Sequence, residues 1–240
     1  MKKLLLATAL LALTGGAAAA QTVRLGTEGA YPPFNFIDDA GNVAGYEREF
    51  GDEACKRAGL TCEWVTNDWD SIIPNLQSGN YDVIIAGMSI TDEREKVVDF
   101  SENYFPPADS AYVGLTADAD IKTGVVSAQV GTIQAGYVAE SGATLLEFPT
   151  PDETVAAVRN GEAAAVFADK DYLAPYVAES NGELVFVGDP VSLGGGVGLA
   201  FRESDDELRE KFNAVIKAMK EDGTINALIE KHFGPETKKF

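Results

Sequence analysis

Two segments of the chain repeat one order of local structure: the end of a helix, a glycine, a short loop and a buried strand. The first spans residues 74–85 and the second spans residues 156–167. Polar residues follow each strand, at 89–94 in the first copy and at 169–171 in the second. Because ligands of open α/β sheets bind beyond the carboxyl ends of strands, the repeat predicts two lobes that face one cleft.

Strand-like and helix-like segments alternate along the chain from residue 23 onward, which predicts an α/β fold with largely parallel sheets. Near the C-terminus an apolar face at helical spacing indicates a helix, and Asp222 and Gly223 end it before Thr224 begins the next. The residues of that face are Leu208, Phe212, Val215, Ile216 and Met219. Strands are predicted at 23–26, 61–65, 83–85, 125–126, 145–148 and 165–167. Five other helices are predicted. They lie at 47–58, from Asp70 or Ser71 to 78, after Thr91 or Asp92, from Thr132 toward 140, and from Asp152 to 159.

The first 20 residues have the pattern of a secretory signal peptide. A basic start at 1–3 precedes a short apolar run at 4–13, and Ala18 to Ala20 offer a cleavage site between small residues. The apolar run is too short to cross a bilayer, which argues against the alternative of an N-terminal anchor. We therefore expect export, cleavage after Ala20 and, because short basic signals of this kind are typical of bacteria, a periplasmic protein.

Acidic side chains outnumber basic ones two to one. The chain has 38 Asp and Glu against 19 Lys and Arg, for a formal net charge of −19 at pH 7. Such a charge opposes binding to nucleic acid and to anionic lipids. It favours a cationic ligand, but it is equally the charge of any acidic, well-solvated protein, so it does not identify the ligand.

The two cysteines, Cys55 and Cys62, fit the exported location. An oxidising compartment makes a disulfide between them the expected state. Zinc would need more ligands than two cysteines and His232, the single histidine, and a redox motif would normally show Cys-x-x-Cys. No metal or cofactor is expected.

The sequence lacks a recognisable catalytic constellation and contains groups that suit a ligand instead. There is no nucleophile elbow, P-loop or dinucleotide fingerprint, and the glycine cluster at 194–198 is better interpreted as a hinge or a close-packed strand entry. Arg94 can fork onto a carboxylate, and the helix that begins after Thr132 offers backbone N–H groups to an anion. Asp169 can accept from an ammonium group. Together they would hold both ends of an α-amino acid, although Arg94 alone suits a solvated helix and Asp169 alone suits a helix cap.

Several motifs resemble the polar amino-acid group of periplasmic solute-binding proteins of ABC transporters. The resemblance covers nearly the whole mature chain and is greatest to members that bind lysine, arginine, ornithine, histidine and opines. The matching runs are 26–34, 45–47, 69–76, 88–94, 131–132 and 222–224. The resemblance implies the two-lobed type II periplasmic binding protein fold, with each lobe a mostly parallel sheet flanked by helices, and it also matches the Cys55–Cys62 disulfide.

The resemblance assigns roles at both ends of the ligand. Arg94 would clamp the α-carboxylate with help from the backbone and hydroxyl of Thr132. Asp169 would accept from the α-ammonium, and Ser89 and the Gly87 backbone would complete that end.

Tyr31 and Trp69 would form aromatic walls around the ligand side chain, and Glu28 would hold its cation. Packing in the core is the alternative for Trp69. Met88 lies in the same matching run and is assigned to the site with its neighbours.

Departures from the family pattern affect the expected pocket size. Ala86 and Gly87 stand where serines are common, and Ile133 stands where a second hydroxyl is common. These changes predict a larger pocket and keep an opine among the expected ligands, whereas Glu28 in place of a shorter Asp would narrow it.

The resulting hypothesis is a monomeric binding protein that closes on its ligand and delivers it to a membrane permease. Lobe 1 would comprise 21–110 and 199–240, lobe 2 would comprise 111–198, and the hinge would lie near 110–113 and 194–199. Two alternatives remain. One is a periplasmic enzyme on the same fold, such as a cyclohexadienyl dehydratase with Glu28 as general acid. The other is a soluble partner of a receptor kinase.

Overall fold

The computed structural model describes residues 22–240, so the predicted signal peptide lies outside the described residues. Strands and helices alternate through most of this region, as the sequence predicts. The strands are β1 Thr22–Thr27, β2 Ala30–Tyr31, β3 Asn35–Ile37, β4 Val43–Ala44, β5 Thr61–Thr66, β6 Val83–Ile84, β7 Asp99–Phe105, β8 Asp109–Gly114, β9 Val125–Gln129, β10 Thr144–Phe148, β11 Ala165–Asp169, β12 Val185–Ser192 and β13 Val197–Phe201. The helices are α1 Tyr46–Ala58, α2 Ile72–Gln77, α3 Ile133–Ser141, α4 Pro151–Arg159, α5 Lys170–Glu179, α6 Asp206–Glu221 and α7 Thr224–Phe233.

Two five-stranded sheets form the centres of two lobes. The first sheet has the strand order β5-β1-β6-β13-β7, and the second has the order β10-β9-β11-β8-β12. In both sheets the first three strands are parallel and the fourth is antiparallel to its two neighbours. β6 and β11, which end the two similar sequence segments, occupy the same third position. The internal similarity therefore corresponds to one topology used twice.

Helices cover the sheets with the faces that the sequence indicates. The apolar side chains of α6 at Phe212, Val215, Ile216 and Met219 are buried against the first sheet together with α7. None of the helices in residues 22–240 is long and apolar enough to cross a membrane.

The chain crosses between the sheets twice, at 106–108 and at 193–196. The first predicted hinge segment, near 110–113, lies inside β8, whereas the second, near 194–199, overlaps the crossover and extends into β13. Both strands are apolar and buried, and the sequence pattern does not mark where they begin. We therefore propose 106–108 and 193–196 as the hinge, which moves each predicted lobe boundary by a few residues.

Gly196 shows why a glycine cluster stands at the second crossover. Its φ is +94°, and an added Cβ would lie 2.6 Å from Asn103 Nδ2 and 2.7 Å from the Phe105 carbonyl oxygen. The two crossovers therefore pack closely only because this residue has no side chain.

Two predicted helix starts are wrong. The segment after Thr91 forms a single 3-10 turn at Arg94–Lys96, because the chain enters β7 three residues later. The Thr91 hydroxyl nevertheless accepts the Arg94 N–H at 3.2 Å. Helix α4 begins after Thr150 instead of Asp152, since the Glu153 carboxylate accepts the Thr150 N–H at 3.2 Å and its hydroxyl at 2.8 Å.

The predicted disulfide is present and joins the end of α1 to β5. We expect Cys55→Ala with Cys62→Ala to lower the free energy of unfolding by about 2–3 kcal/mol, because the bond restricts a short loop of the unfolded chain. Chemical denaturation of the double variant tests this. Neither cysteine lines the cleft described below, so ligand affinity should be unchanged, and a loss of binding by the folded variant would contradict a purely structural role.

Candidate functional site

A cleft between the lobes is built at the carboxyl ends of four strands. Glu28 follows β1, residues 86–89 follow β6, Gln129 ends β9 and Asp169 ends β11. The space between the lining side chains is about 330 Å³, part of it open to solvent. It is lined by Glu28, Tyr31, Trp69, Ala86, Gly87, Ser89, Arg94, Gln129, Thr132, Ile133, Gln134 and Asp169.

Eight of the nine site residues predicted from the sequence line this cleft, and Met88 does not. The Met88 side chain is 1% exposed and packs in the core with Trp69 and Leu76. Its neighbours Gly87 and Ser89 do line the cleft. Gly87 has a φ of +62°, so the chain bends here after β6, and this bend directs Met88 into the core while Gly87 and Ser89 face the cleft.

Arg94 supplies the positive charge of the cleft. Its guanidinium donates to the Ser89 carbonyl oxygen at 2.8 Å and to the Gly131 carbonyl oxygen of the second lobe at 3.3 Å. It also lies over the Trp69 ring, 5.4 Å from the centroid. Burial lowers the pKa of Arg94 to about 10, and Asp169 opposes this shift. A guanidinium has five N–H donors, so donors remain for a ligand carboxylate.

Asp169 supplies a carboxylate on the opposite lobe. One oxygen accepts from the Tyr31 hydroxyl at 2.8 Å, and the other accepts from Gln134 Nε2 at 2.9 Å. Burial raises the pKa of Asp169 to about 6, while the hydrogen bond from Tyr31 and the charge of Arg94 oppose the rise. A buried carboxylate of this kind is stabilised by an ammonium group, which would return its pKa toward the ordinary value.

Tyr31 links the two lobes across the cleft. Its ring stacks on Tyr172 of the second lobe with centroids 4.2 Å apart, while its hydroxyl reaches Asp169. Tyr31 packs against the hydrophobic cores of both lobes. Its position therefore suits a wall that forms when the lobes close. Trp69 combines both predicted roles, since it lines the cleft and also packs in the core.

Glu28 forms a second carboxylate site, and its partner is again a glutamine of the second lobe. Gln129 Nε2 donates to Glu28 Oε1 at 2.6 Å. Burial raises the pKa of Glu28 to about 7, the hydrogen bond from Gln129 opposes the rise, and the charges of Asp68 and Asp152 add to it. The surroundings of Glu28 therefore favour a cation.

Thr132 caps α3, and this use of its hydroxyl changes its expected role. The hydroxyl donates to the Gln129 carbonyl oxygen at 2.7 Å and accepts the Ala135 N–H at 3.1 Å. It is therefore already paired within the protein. The remaining donors at this end are the N–H groups of Ile133 and Gln134, which begin α3 and suit an anion.

A buried network behind the cleft positions its backbone. Glu47 is fully buried and accepts from the Gly87 N–H and from Asn35 Nδ2, both at 2.6 Å, and from the Tyr104 hydroxyl. The Asn35 side-chain oxygen accepts the Gly29 N–H at 2.7 Å. Burial raises the pKa of Glu47, and these donors oppose the rise. The network ties the loop after β1 to the loop after β6.

Sequence reasoning missed the two cleft glutamines. Gln129 could have been found if the predicted strand at 125–126 had been extended to its observed end, because the carboxyl end of β9 faces the cleft like those of β6 and β11. Gln134 lies in the first turn of the helix that Thr132 caps. Within residues 22–240, no group of three or more His, Cys, Asp or Glu side chains is arranged to hold a metal ion.

Comparison with known proteins finds one family whose sequence pattern matches nearly all of the described residues. Residues 23–235 match the model of the bacterial extracellular solute-binding proteins, family 3. The lysine/arginine/ornithine-binding periplasmic protein of Escherichia coli K12 is 31% identical over 261 residues, covering 97% of each chain.

Solved structures agree with this match. A periplasmic His/Glu/Gln/Arg/opine family-binding protein from Silicibacter pomeroyi, solved in complex with lysine, is 70% identical and superposes with a TM-score of 0.90 over 91% of this chain and 100% of that one. The ancestral amino acid-binding protein AncCDT-1, a precursor of cyclohexadienyl dehydratase, is 33% identical, with a TM-score of 0.80 over 88% of this chain and 95% of that one.

Proposed function

Because the chain belongs to family 3 of the bacterial extracellular solute-binding proteins, we propose that it binds a cationic amino acid, with L-lysine as the first candidate. In this proposal the protein works in the periplasm as the monomeric binding component of an ABC transporter. It closes around the amino acid and presents it to a membrane permease.

The charge pattern of the cleft carries this proposal. Arg94 is the only cationic side chain among the described lining residues, and Glu28 and Asp169 are the two carboxylates. Lysine carries the complementary set: one carboxylate and two ammonium groups. Arg94 would bind the α-carboxylate, Asp169 the α-ammonium and Glu28 the side-chain cation. The similar structure solved with lysine supports the same ligand class.

The same pattern favours a simple cationic amino acid over an opine. An opine carries a second carboxylate on a carbon substituent of its α-nitrogen, which would lie next to Asp169. The described residues near Asp169 include a further carboxylate, Asp171, whose charge already raises the pKa of Asp169. A second ligand carboxylate there would meet like charge.

Isothermal titration calorimetry of the mature protein, stripped of ligand by unfolding and refolding, tests the proposal. We expect tight binding of lysine, arginine or ornithine, and weak or no binding of glutamate and of an opine such as octopine. Saturable binding of neutral or acidic amino acids alone would reject the cationic ligand.

The raised pKa of Glu28 is also compatible with an enzyme, because a general acid needs a pKa near the working pH. We propose that Glu28 binds a cation instead, since Gln129 already occupies one of its oxygens and Asp68 and Asp152 surround it with negative charge. Formation of product from prephenate or arogenate by the purified protein would support the enzyme.

Lysine affinity should depend on pH. In the unliganded protein the pKa of Glu28 is about 7 and that of Asp169 is about 6, and both must be ionised to pair with ammonium groups. Lysine binding must therefore release up to one proton between pH 7 and pH 6 and up to two below pH 6, so affinity should fall by up to about tenfold per pH unit in the first range and up to about 100-fold per unit in the second. Titrations from pH 8 to pH 5 measure this. A lysine Kd that stays constant over the whole range would contradict the assignment.

A further inference from the structure

Each carboxylate of the cleft is held by a glutamine from the second lobe. Gln134 Nε2 donates to Asp169 at 2.9 Å and to the Ser110 hydroxyl at 3.0 Å. Gln129 Nε2 donates to Glu28 at 2.6 Å and to the Pro149 carbonyl oxygen at 3.1 Å. The two pairs differ in one respect. Asp169 and Gln134 share a lobe, whereas Glu28 and Gln129 lie on opposite lobes.

The contacts of Gln129 fix the orientation of its amide group. The nitrogen faces two oxygen acceptors, so its two N–H donors are used. No donor among residues 22–240 reaches the Gln129 side-chain oxygen, which stays accessible to solvent where the residue lines the cleft. Within the same residues, Oε1 is the only Glu28 carboxylate oxygen that accepts a hydrogen bond, from Gln129, and the other oxygen accepts none. Two acceptors, one neutral and one charged, are thus available at the same end of the cleft.

We propose that Gln129 is a specificity-determining residue that, together with Glu28, accepts hydrogen bonds from the side-chain cation of the ligand. This inference rests on the proposed binding of a cationic amino acid. An ammonium group has three donors and needs several acceptors once it is removed from water. A neutral amide adds an acceptor without placing a second negative charge beside Glu28.

The position of Gln129 also makes this recognition depend on closure. Glu28 comes from the first lobe and Gln129 from the second, so the complete acceptor pair exists only when the lobes are together. A cation that bridges both residues adds binding free energy to the closed form alone, which is the requirement for a ligand to drive closure.

Two matched substitutions test the proposal, each a glutamine replaced by leucine. Lysine and norleucine, which share the α-groups and differ in the terminal ammonium, are titrated against the wild-type protein, Gln129→Leu and Gln134→Leu. We expect Gln129→Leu to weaken lysine binding by about 10- to 100-fold and norleucine binding by less than about threefold, because a hydrogen bond to a charged group is lost only with lysine. Gln134→Leu should weaken both ligands by a similar factor, since Asp169 anchors the ammonium that they share.

The outcomes separate this inference from the proposed function. If the wild-type protein does not bind lysine, the proposed function fails. If it binds lysine and Gln129→Leu keeps the wild-type ratio of lysine to norleucine affinity, Gln129 does not determine specificity. An equal loss of both ligands would assign Gln129 a structural role and also overturn the inference. Gln129→Met, which keeps a flexible chain of similar length, replaces Gln129→Leu if the latter lacks a cooperative thermal transition.

Discussion

Arg94→Ala should abolish high-affinity amino-acid binding while the protein still folds. Removing one partner of a buried, hydrogen-bonded charge pair costs about 2–5 kcal/mol, so Kd should rise by at least about 30-fold for every amino acid that binds. The fold should tolerate the change because the Arg94 side chain is only partly buried. Burial also lowers the pKa of Arg94, which means that its positive charge destabilises the unliganded protein.

The control for Arg94 is a second arginine that lies over a tryptophan. The Arg48 guanidinium is 5.6 Å from the Trp64 ring centroid, against 5.4 Å for Arg94 and Trp69, but it lies outside the cleft. Arg48→Ala should leave affinity unchanged. Arg94→Lys should bind weakly, because an ammonium keeps the charge without the forked geometry. Wild-type affinity in folded Arg94→Ala, measured by calorimetry, would reject Arg94 as the carboxylate anchor.

Glu28→Gln should lower the affinity for lysine by about 100-fold, since the side-chain cation loses its charged partner. The same change should stabilise the unliganded protein at pH 8. The folded-state pKa of Glu28 is raised to about 7, so ionisation of Glu28 costs stability as pH rises from its unfolded value through 7. Glutamine never ionises, and the expected gain is about 1–3 kcal/mol after allowance for partial exposure.

Denaturation at two pH values measures the stability effect. The gain should be present at pH 8 and absent near pH 3, which lies below both the unfolded-state and the folded-state pKa of Glu28, so that Glu28 is protonated in both states. Asp68→Asn is the control, because Asp68 is an exposed carboxylate whose charge acts on Glu28 from outside the cleft. Asp68→Asn should change the lysine affinity and the stability at pH 8 only slightly. Equal stability of Glu28→Gln and wild type at pH 8, with unchanged lysine affinity, would remove Glu28 from the site.

The parts of the fold that could be predicted are those with a local signal. Thr132 was predicted to cap a helix, and its hydroxyl accepts the Ala135 N–H. The apolar face of α6 was predicted from its spacing, and four of its five residues are buried. The repeated segments predicted two lobes and one cleft because their strands and glycines lie close together in the sequence.

The parts that could not be predicted depend on distant pairing. β7, β8 and β13 are buried strands whose partners lie far away in sequence, so the sequence pattern does not mark where the crossovers between them begin and end. Met88 belongs to a run that matches the family, but which side of the chain faces the core depends on the loop after β6. The bond from Gln129 to Glu28 joins residues 101 positions apart on different lobes, and no local pattern indicates it.

A crystal structure of the mature protein grown with L-lysine tests the central claim most directly. We predict lysine in the interlobe cleft, with its α-carboxylate on Arg94, its α-ammonium on Asp169 and its side-chain ammonium within hydrogen-bond distance of Glu28. Lysine bound in the reverse orientation, or density for lysine only outside the cleft, would contradict the account.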